Sequence, residues 1–366
     1  VTTNLKGLYR DELAARCDPP YRADQILQWV YEKQAPSFAA MTNLPAALRQ
    51  QLAAAYELNA VQTLHTRQAT DTTEKFLFQL HDGALIETVL IPATPGLTSQ
   101  SDRHTVCVST QVGCAYGCRF CASGLHGWKR NLTAAEIVDQ VLHVQRLSGE
   151  RVSNIVVMGM GEPLANYDNV LRALRILNAP WALGIGARKM TLSTVGLAPR
   201  IRQLADDPLQ IRLAVSLHGA TDDVRSQIMP VNRKHALAEL IAACEYYHLT
   251  KGRMLTFEFI LIEGVNDSLE QAHKLAALAA RLHAKVNLIP YNPVAGLPWR
   301  RPDRARSKAF QHVLQQRGVT ATLRTEKGTA INAACGQLRL QHEPVRAEQS
   351  GPSDTDPLRG HRRGLR

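Results

Sequence analysis

The chain has no uninterrupted apolar run long enough to cross a bilayer, and its opening stretch, residues 1 to 16, carries acidic side chains and lacks the apolar core of a signal peptide. A soluble, cytoplasmic protein with no membrane partner is therefore expected. It also lacks the even cysteine count of a secreted disulfide scaffold: its seven cysteines, at 17, 107, 114, 118, 121, 244 and 335, are few for 366 residues. Reduced thiols are the default. A hydrophobic content of 45% is enough for one large α/β domain and a smaller companion. Negative charge is scarce: the formal net charge is +11. Residues 1 to 75 hold eight basic and eight acidic side chains, whereas residues 76 to 344 hold 30 basic and 21 acidic ones. A polyanion such as nucleic acid would be drawn to that second region.

Residues 1–60 read as a small helical module, with Ile26, Leu27, Trp29, Val30 and Tyr31 at helical spacing after Pro19-Pro20. Residues 61–100 switch to alternation, with Phe76, Phe78 and Leu80, the turn His81-Asp82-Gly83-Ala84, then Leu85 to Ile91, a β-hairpin. From 101 to 342, β-rich runs at Thr105–Ser109, Asn154–Met158, Met190–Ser193, Ile211–Leu217, Leu255–Leu261 and Val286–Ile289 alternate with helical stretches. Six such units predict a parallel sheet curved into a partial (βα)6 barrel, its site built at the C-terminal ends of the strands. Residues 343–366 are poor in apolar side chains and end in arginines, which predicts a disordered basic tail.

Just after the first of these strands, Cys114, Cys118 and Cys121 stand as Cys-x3-Cys-x2-Cys with no fourth cysteine close behind. A closed zinc site or an electron-transfer ferredoxin cluster needs a fourth ligand; three thiolates suit a cluster with one open iron. This spacing, with Phe120 before the last cysteine, resembles that of radical S-adenosylmethionine enzymes, in which the open iron of a 4Fe-4S cluster chelates the amino and carboxylate groups of S-adenosyl-L-methionine. Polar clusters follow at the ends of later strands. Gly161 and Glu162 lie in Met-Gly-Met-Gly-Glu-Pro-Leu, where the glycines permit close backbone approach and the carboxylate suits an amine. Ser193 and Thr194 follow the third strand, Ser216, Leu217 and His218 the fourth, and Asn292 the sixth; all are assigned to cofactor binding. The run from Pro298 to Arg306, four arginines beside Trp299, reads equally as a phosphate-and-base contact or as a solvated helix start.

Taken together, Val108 to Gly124, Trp128 to Leu132, Met158 to Leu164, Ser216 to His218 and Ala333-Ala-Cys-Gly-Gln-Leu338 resemble the RlmN/Cfr-type radical S-adenosylmethionine RNA methyltransferases, over residues 5 to 340. The resemblance implies methylation of an adenine ring carbon, carbon 2 of an adenosine in 23S ribosomal RNA above all and transfer RNA besides. It implies that Cys335 carries the methyl group as S-methylcysteine, that Cys107 forms a transient disulfide with Cys335 to release the product, and that Glu87 accepts the ring proton. An exposed strand glutamate is the competing reading of Glu87, and a buried strand thiol that of Cys107. Further implications are an N-terminal module that holds RNA, an electron donor such as flavodoxin or ferredoxin, and a monomer. Cys17 and Cys244 match no motif and read as helix-packing residues.

The resemblance weakens at Glu326 to Asn332, where the family commonly carries an acidic residue that this chain lacks. Three other readings stay open: methylation at carbon 8, a radical enzyme that modifies a protein, and a noncatalytic zinc protein that binds RNA.

Overall fold

The computed structural model describes residues 3–69, 72–93, 103–125, 127–294 and 296–324. Cys335, the altered segment before it and the tail lie outside the described residues.

The chain opens with β1 (Thr3–Asn4), α1 (Arg10–Ala14), α2 (Arg22–Leu27), α3 (Ala46–Ala55) and β2 (Tyr56–Glu57), which pairs in parallel with β1. The helix expected from Tyr21 to Gln34 is α2 followed by one π-helical turn, Gln28–Glu32, and it buries Ile26, Leu27, Val30 and Tyr31. Next come β3 (Val61–Gln68), β4 (Glu74–Leu80) and β5 (Leu85–Pro92), an antiparallel run. The strand β6 (His104–Cys107) then begins the catalytic half.

The remaining elements are β7 (Gln111–Gly113), β8 (Trp128–Asn131), α4 (Ala134–Ser148), β9 (Asn154–Val157), α5 (Tyr167–Asn178), β10 (Met190–Thr194), α6 (Ala198–Asp206), β11 (Arg212–Ser216), α7 (Asp222–Ile228), α8 (Leu237–Lys251), β12 (Thr256–Leu261), α9 (Leu269–Arg281), β13 (Lys285–Pro290), α10 (Arg304–Gln316) and β14 (Ala321–Leu323). All six expected strands form, and they lie side by side in the order β6-β9-β10-β11-β12-β13, parallel throughout. A further strand, β14, extends the parallel series.

Two features differ from the reading of the sequence. The hairpin is no appendage: β5 pairs with β6, so β3, β4 and β5 continue the barrel sheet, which has ten strands among the described residues. The reason lies in β4, which is buried on both faces. Phe76, Phe78 and Leu80 join the main core, with Phe78 edge-on to His143 of α4, while Leu77 packs with Leu85 on the other side. A strand that must bury both faces needs neighbours on both edges. Secondly, the cysteines do not follow β6 directly. They sit in the loop of a two-stranded ribbon, β7 with β8, whose close fit requires glycine at 113, where a Cβ would lie 1.8 Å from the Gly127 carbonyl oxygen.

The helical module shares the barrel's core: Leu5, Leu13 and Ile26 belong to the same apolar cluster as Phe310 and Leu314. Its seam is polar as well. The buried Lys6 ammonium meets Asp139 of α4, whose other oxygen accepts from the Ala60 and Val61 amides at 2.6 and 3.1 Å. Arg172 of α5 donates to the Gly7 carbonyl at 2.7 Å. Helix α4 itself starts at a capping box, Thr133 with Glu136, and stops at Gly149, whose φ of 69° suits the left-handed cap.

Candidate active site

The C-terminal ends of the parallel strands open into one cavity of about 400 Å³. Cys114, Cys118 and Cys121 line it together with Gly161, Glu162, Ser193, Thr194, Ser216, His218 and Asn292, and so do Cys107 and Glu87. Residues more than 200 positions apart in sequence are thus gathered where the alternating pattern predicts a site. Leu217 is the exception. Its side chain is wholly buried in the core and does not line the cavity, because successive residues leaving a strand face opposite sides.

The cysteine loop is held by its own backbone: the Cys114 amide donates to the Gly127 carbonyl at 3.0 Å and the Cys121 amide to the Cys118 carbonyl at 3.0 Å. Burial pushes the Cys114 thiol up to about 12, and raises Cys118 and Cys121 as well; Cys121 adds to the rise at Cys114, and both add to that at Cys118. Such thiols become thiolates only when a cationic centre replaces the proton. Among the described residues, no three ligating side chains converge closely enough to hold one ion. Three thiols on the wall of one cavity are the soft donor set that an iron–sulfur cluster with one open iron takes.

Glu162 is the acceptor at the cavity's centre, 1% exposed. Its carboxylate accepts from Thr194 Oγ1 at 2.7 Å, from the Leu164 amide at 3.0 Å and from the Val195 amide at 2.7 Å. Burial nonetheless carries it up to about 7, the three donors opposing. A carboxylate has about four acceptor positions, so one remains for an incoming amine, whose charge would compensate the burial. This is the position an amino-acid ammonium fits. Thr194 reaches the site only through Glu162. Gly161 is glycine because its φ is 98° and because a Cβ there would sit 2.5 Å from Gln111 Cβ; Gln111 Oε1 in turn accepts from the Glu162 amide at 2.8 Å.

His218 is held in an unusual conformation, φ 55°, by Asn266, which donates to its carbonyl at 2.7 Å. The Ile260 amide donates to His218 Nδ1 at 3.0 Å, which fixes the neutral tautomer with its proton on Nε2. Burial lowers its pKa to about 3, so it stays uncharged beside Phe120, whose ring meets it edge-on at 4.9 Å. In that form its Nε2–H is a neutral hydrogen-bond donor.

On the opposite wall, Glu87 is 2% exposed and its Oε2 lies 2.8 Å from Nζ of Lys75, which is wholly buried. The exposed-glutamate reading is therefore excluded. Cys107 pairs with Val89 across β5 and β6, next to Glu87 on the same face; burial lifts its thiol to about 11, against the pull of Arg324 and Lys75. Glu258, also at the cavity, accepts from Asn287 at 2.8 Å, and burial raises it.

Sequence reasoning missed Arg225 of α7, which is 0% exposed. Its guanidinium donates to the Leu217 carbonyl at 3.1 Å, Asn232 Oδ1 at 2.7 Å and the Val195 carbonyl at 2.6 Å, tying the loops after β10 and β11 together. Burial lowers it to about 10, with Cys118 the chief opposing influence. Gly196 and Gly219 make room for it. No local pattern marks a single arginine in a short helix as such a hub. The arginine-rich run resolves as a helix start: Trp299 donates to the Arg119 carbonyl at 3.2 Å, Arg301 to the Tyr291 carbonyl at 2.8 Å, and Asp303 caps α10. Both side chains buttress the cavity wall.

Residues 108–276 match the radical SAM superfamily, and residues 3–58 match the ribosomal RNA large subunit methyltransferase N-terminal domain. A probable dual-specificity RNA methyltransferase RlmN 3 from Opitutus terrae is 56% identical over 91% of this chain and 92% of that protein. A probable dual-specificity RNA methyltransferase RlmN from Akkermansia muciniphila is 51% identical over 90% and 92%. The crystal structure of a radical SAM methyltransferase from Sphaerobacter thermophilus superposes with a TM-score of 0.86 at 46% identity, covering 92% of this chain and 98% of that one. The chain belongs to the RlmN family of radical S-adenosylmethionine RNA methyltransferases, enzymes whose cofactors are a 4Fe-4S cluster and S-adenosylmethionine.

Proposed function

We propose that this enzyme methylates carbon 2 of an adenosine in 23S ribosomal RNA and also acts on transfer RNA. The relatives named above are dual-specificity enzymes, which supports two RNA substrates. The observation that carries the reading is that Cys107 and Glu87 line the same cavity as Cys114, Cys118 and Cys121. A protein-modifying radical enzyme would have no use for that thiol and carboxylate pair.

In this reading Cys114, Cys118 and Cys121 hold the cluster, while Glu162, Ser193, Ser216, His218 and Asn292 hold S-adenosylmethionine, with Thr194 acting through Glu162. When bound, these groups supply the hydrogen-atom abstraction that lets an electron-poor amidine carbon be alkylated, which a polar displacement cannot do. Cys335 carries the methyl group to the base. Glu87 accepts the ring proton, and the Cys107 thiolate attacks the sulfur of Cys335, so that an S–S bond forms as the carbon–sulfur link breaks; the linking methylene leaves with the bonding pair and takes up a proton to become the methyl group. Cytosolic thiols reduce the disulfide and reset the enzyme.

The N-terminal module and the basic excess of the catalytic half would bind RNA around a flipped adenine. A small reduced protein, flavodoxin or ferredoxin, supplies the electron; the enzyme works as a cytoplasmic monomer.

The test is mass spectrometry of nucleosides from ribosomal and transfer RNA of cells with and without the gene. Loss of 2-methyladenosine from both RNAs is expected; loss of 8-methyladenosine instead would reassign the carbon, and no change in either would overturn the substrate. Cys335→Ala abolishes methyl transfer, and Cys107→Ala accumulates a covalent protein–RNA adduct.

A further inference from the structure

A lysine in the interior of a strand is unusual, and Lys75 is wholly buried in β4. The register explains where it points. Lys75 stands opposite Val89, and Leu77 opposite Glu87, so Lys75 and Glu87 are diagonal neighbours on one face of the β4–β5 pair. Val89 stands opposite Cys107 on β6, which brings the Cys107 side chain to the same face. Glu87, Val89 and Cys107 all line the cavity, whereas Lys75 approaches Glu87 from the strand behind, its Nζ 2.8 Å from Oε2.

The sheet does not need this pair. An apolar pair of similar volume would serve a buried strand contact at least as well, because desolvating two charges offsets most of their attraction. The other charged or titratable groups around the pair are Cys107 on β6, Cys121 in the cysteine loop, and Arg324 just after β14, which faces Glu258 and Cys107. Among the described residues, Lys75 places its cation in direct contact with the Glu87 carboxylate.

We propose that Lys75 is a positioning residue for the reaction: its ammonium, 2.8 Å from Oε2, holds the Glu87 side chain in place at the cavity wall, as the group that takes the ring proton when product is released. This deepens the reading of Glu87 as the proton acceptor and rests on it. The ammonium also lies within reach of the Cys107 sulfur's field and favours its thiolate.

The experiment follows decay of the covalent protein–RNA adduct in the reconstituted full-length enzyme, with RNA carrying hydrogen or deuterium at the target carbon. In Lys75→Met the adduct decays about ten- to a hundredfold more slowly, as the loss of one charge-assisted hydrogen bond to Glu87 implies, and deuterium slows it further. Lys75→Arg recovers most of the rate. In a Glu87→Gln background, Lys75→Met causes no further slowing. The proposal is overturned if Glu87→Gln slows decay in an isotope-sensitive way while Lys75→Met releases adduct like the wild type, or if Lys75→Met slows the Glu87→Gln enzyme as much as it slows the wild type. If Glu87→Gln itself leaves decay unchanged, the proton-acceptor reading fails, and Lys75 with it. Should Lys75→Met alone not fold, Lys75→Gln, which loses the charge and keeps a donor, takes its place: slowing with an isotope effect supports the proposal, and a wild-type rate or slowing without an isotope effect overturns it.

Discussion

Replacing Arg225, which is wholly buried, with methionine removes the three donors that bind the Val195 and Leu217 carbonyls and Asn232 Oδ1. Each buried acceptor left without a partner costs about 1–3 kcal/mol. Relief from burying a cation returns part of that. The net loss expected is about 2–5 kcal/mol, a fall in melting temperature of about 4–10 °C for a chain of this size. The damage reaches the cofactor site along a defined path, because the same Val195 peptide whose carbonyl Arg225 holds also donates its amide to Glu162. Affinity for S-adenosylmethionine should therefore fall about tenfold, equivalent to one lost charge-assisted hydrogen bond of about 1.4 kcal/mol. An Arg225→Lys variant keeps the charge but reaches only one acceptor, so its losses should be intermediate. Differential scanning fluorimetry and equilibrium dialysis measure both quantities. If Arg225→Met melts within a degree of the wild type and binds the cofactor equally well, the guanidinium is not the hub described.

Gly161→Ala should destabilise by about 1–3 kcal/mol from its φ of 98° alone, with more from the 2.5 Å approach to Gln111, and should weaken cofactor binding because Gln111 Oε1 holds the Glu162 amide; wild-type binding by calorimetry would contradict this. Stability should also depend on pH through His143, which burial lowers to about 4, with Arg146 and Lys6 acting in the same direction and Asp139 against them. The unfolded chain takes up this proton near pH 6.5 and the folded chain only near 4, so stability is complete above pH 6.5 and declines as pH falls toward 4. The loss is at most about 3 kcal/mol. Urea unfolding at about pH 5 and pH 7 should differ by at most about 2 kcal/mol, and His143→Phe, which keeps the edge contact with Phe78, should flatten the difference.

The cavity wall shows where local pattern suffices. Cys114, Cys118, Cys121, Glu162, Ser193, Ser216, His218 and Asn292 each sit beside a strand end, and strand ends can be read from apolar runs. In a parallel sheet those ends must share one rim, so their convergence follows from the fold alone. The second wall depends on pairing between distant strands. Nothing in Glu-Lys-Phe-Leu-Phe says whether Lys75 is solvated or buried, because that depends on which strand lies at each edge. Joining β5 to β6 made the hairpin part of the barrel and carried Glu87 and Lys75 to the cavity. Arg225 was illegible for a related reason, since its partners are mostly main-chain carbonyls, which carry no residue-specific mark.

What the sequence determined by itself was the family, the order of strands and helices, and the rim chemistry, all encoded in short-range spacing of thiols, glycines and apolar runs. Only the tertiary structure decided that Leu217 faces the core, that Glu87 is buried against Lys75, and that Arg225 binds two strand-end loops. These depend on edge pairing and burial, which are properties of contacts between segments far apart in the chain.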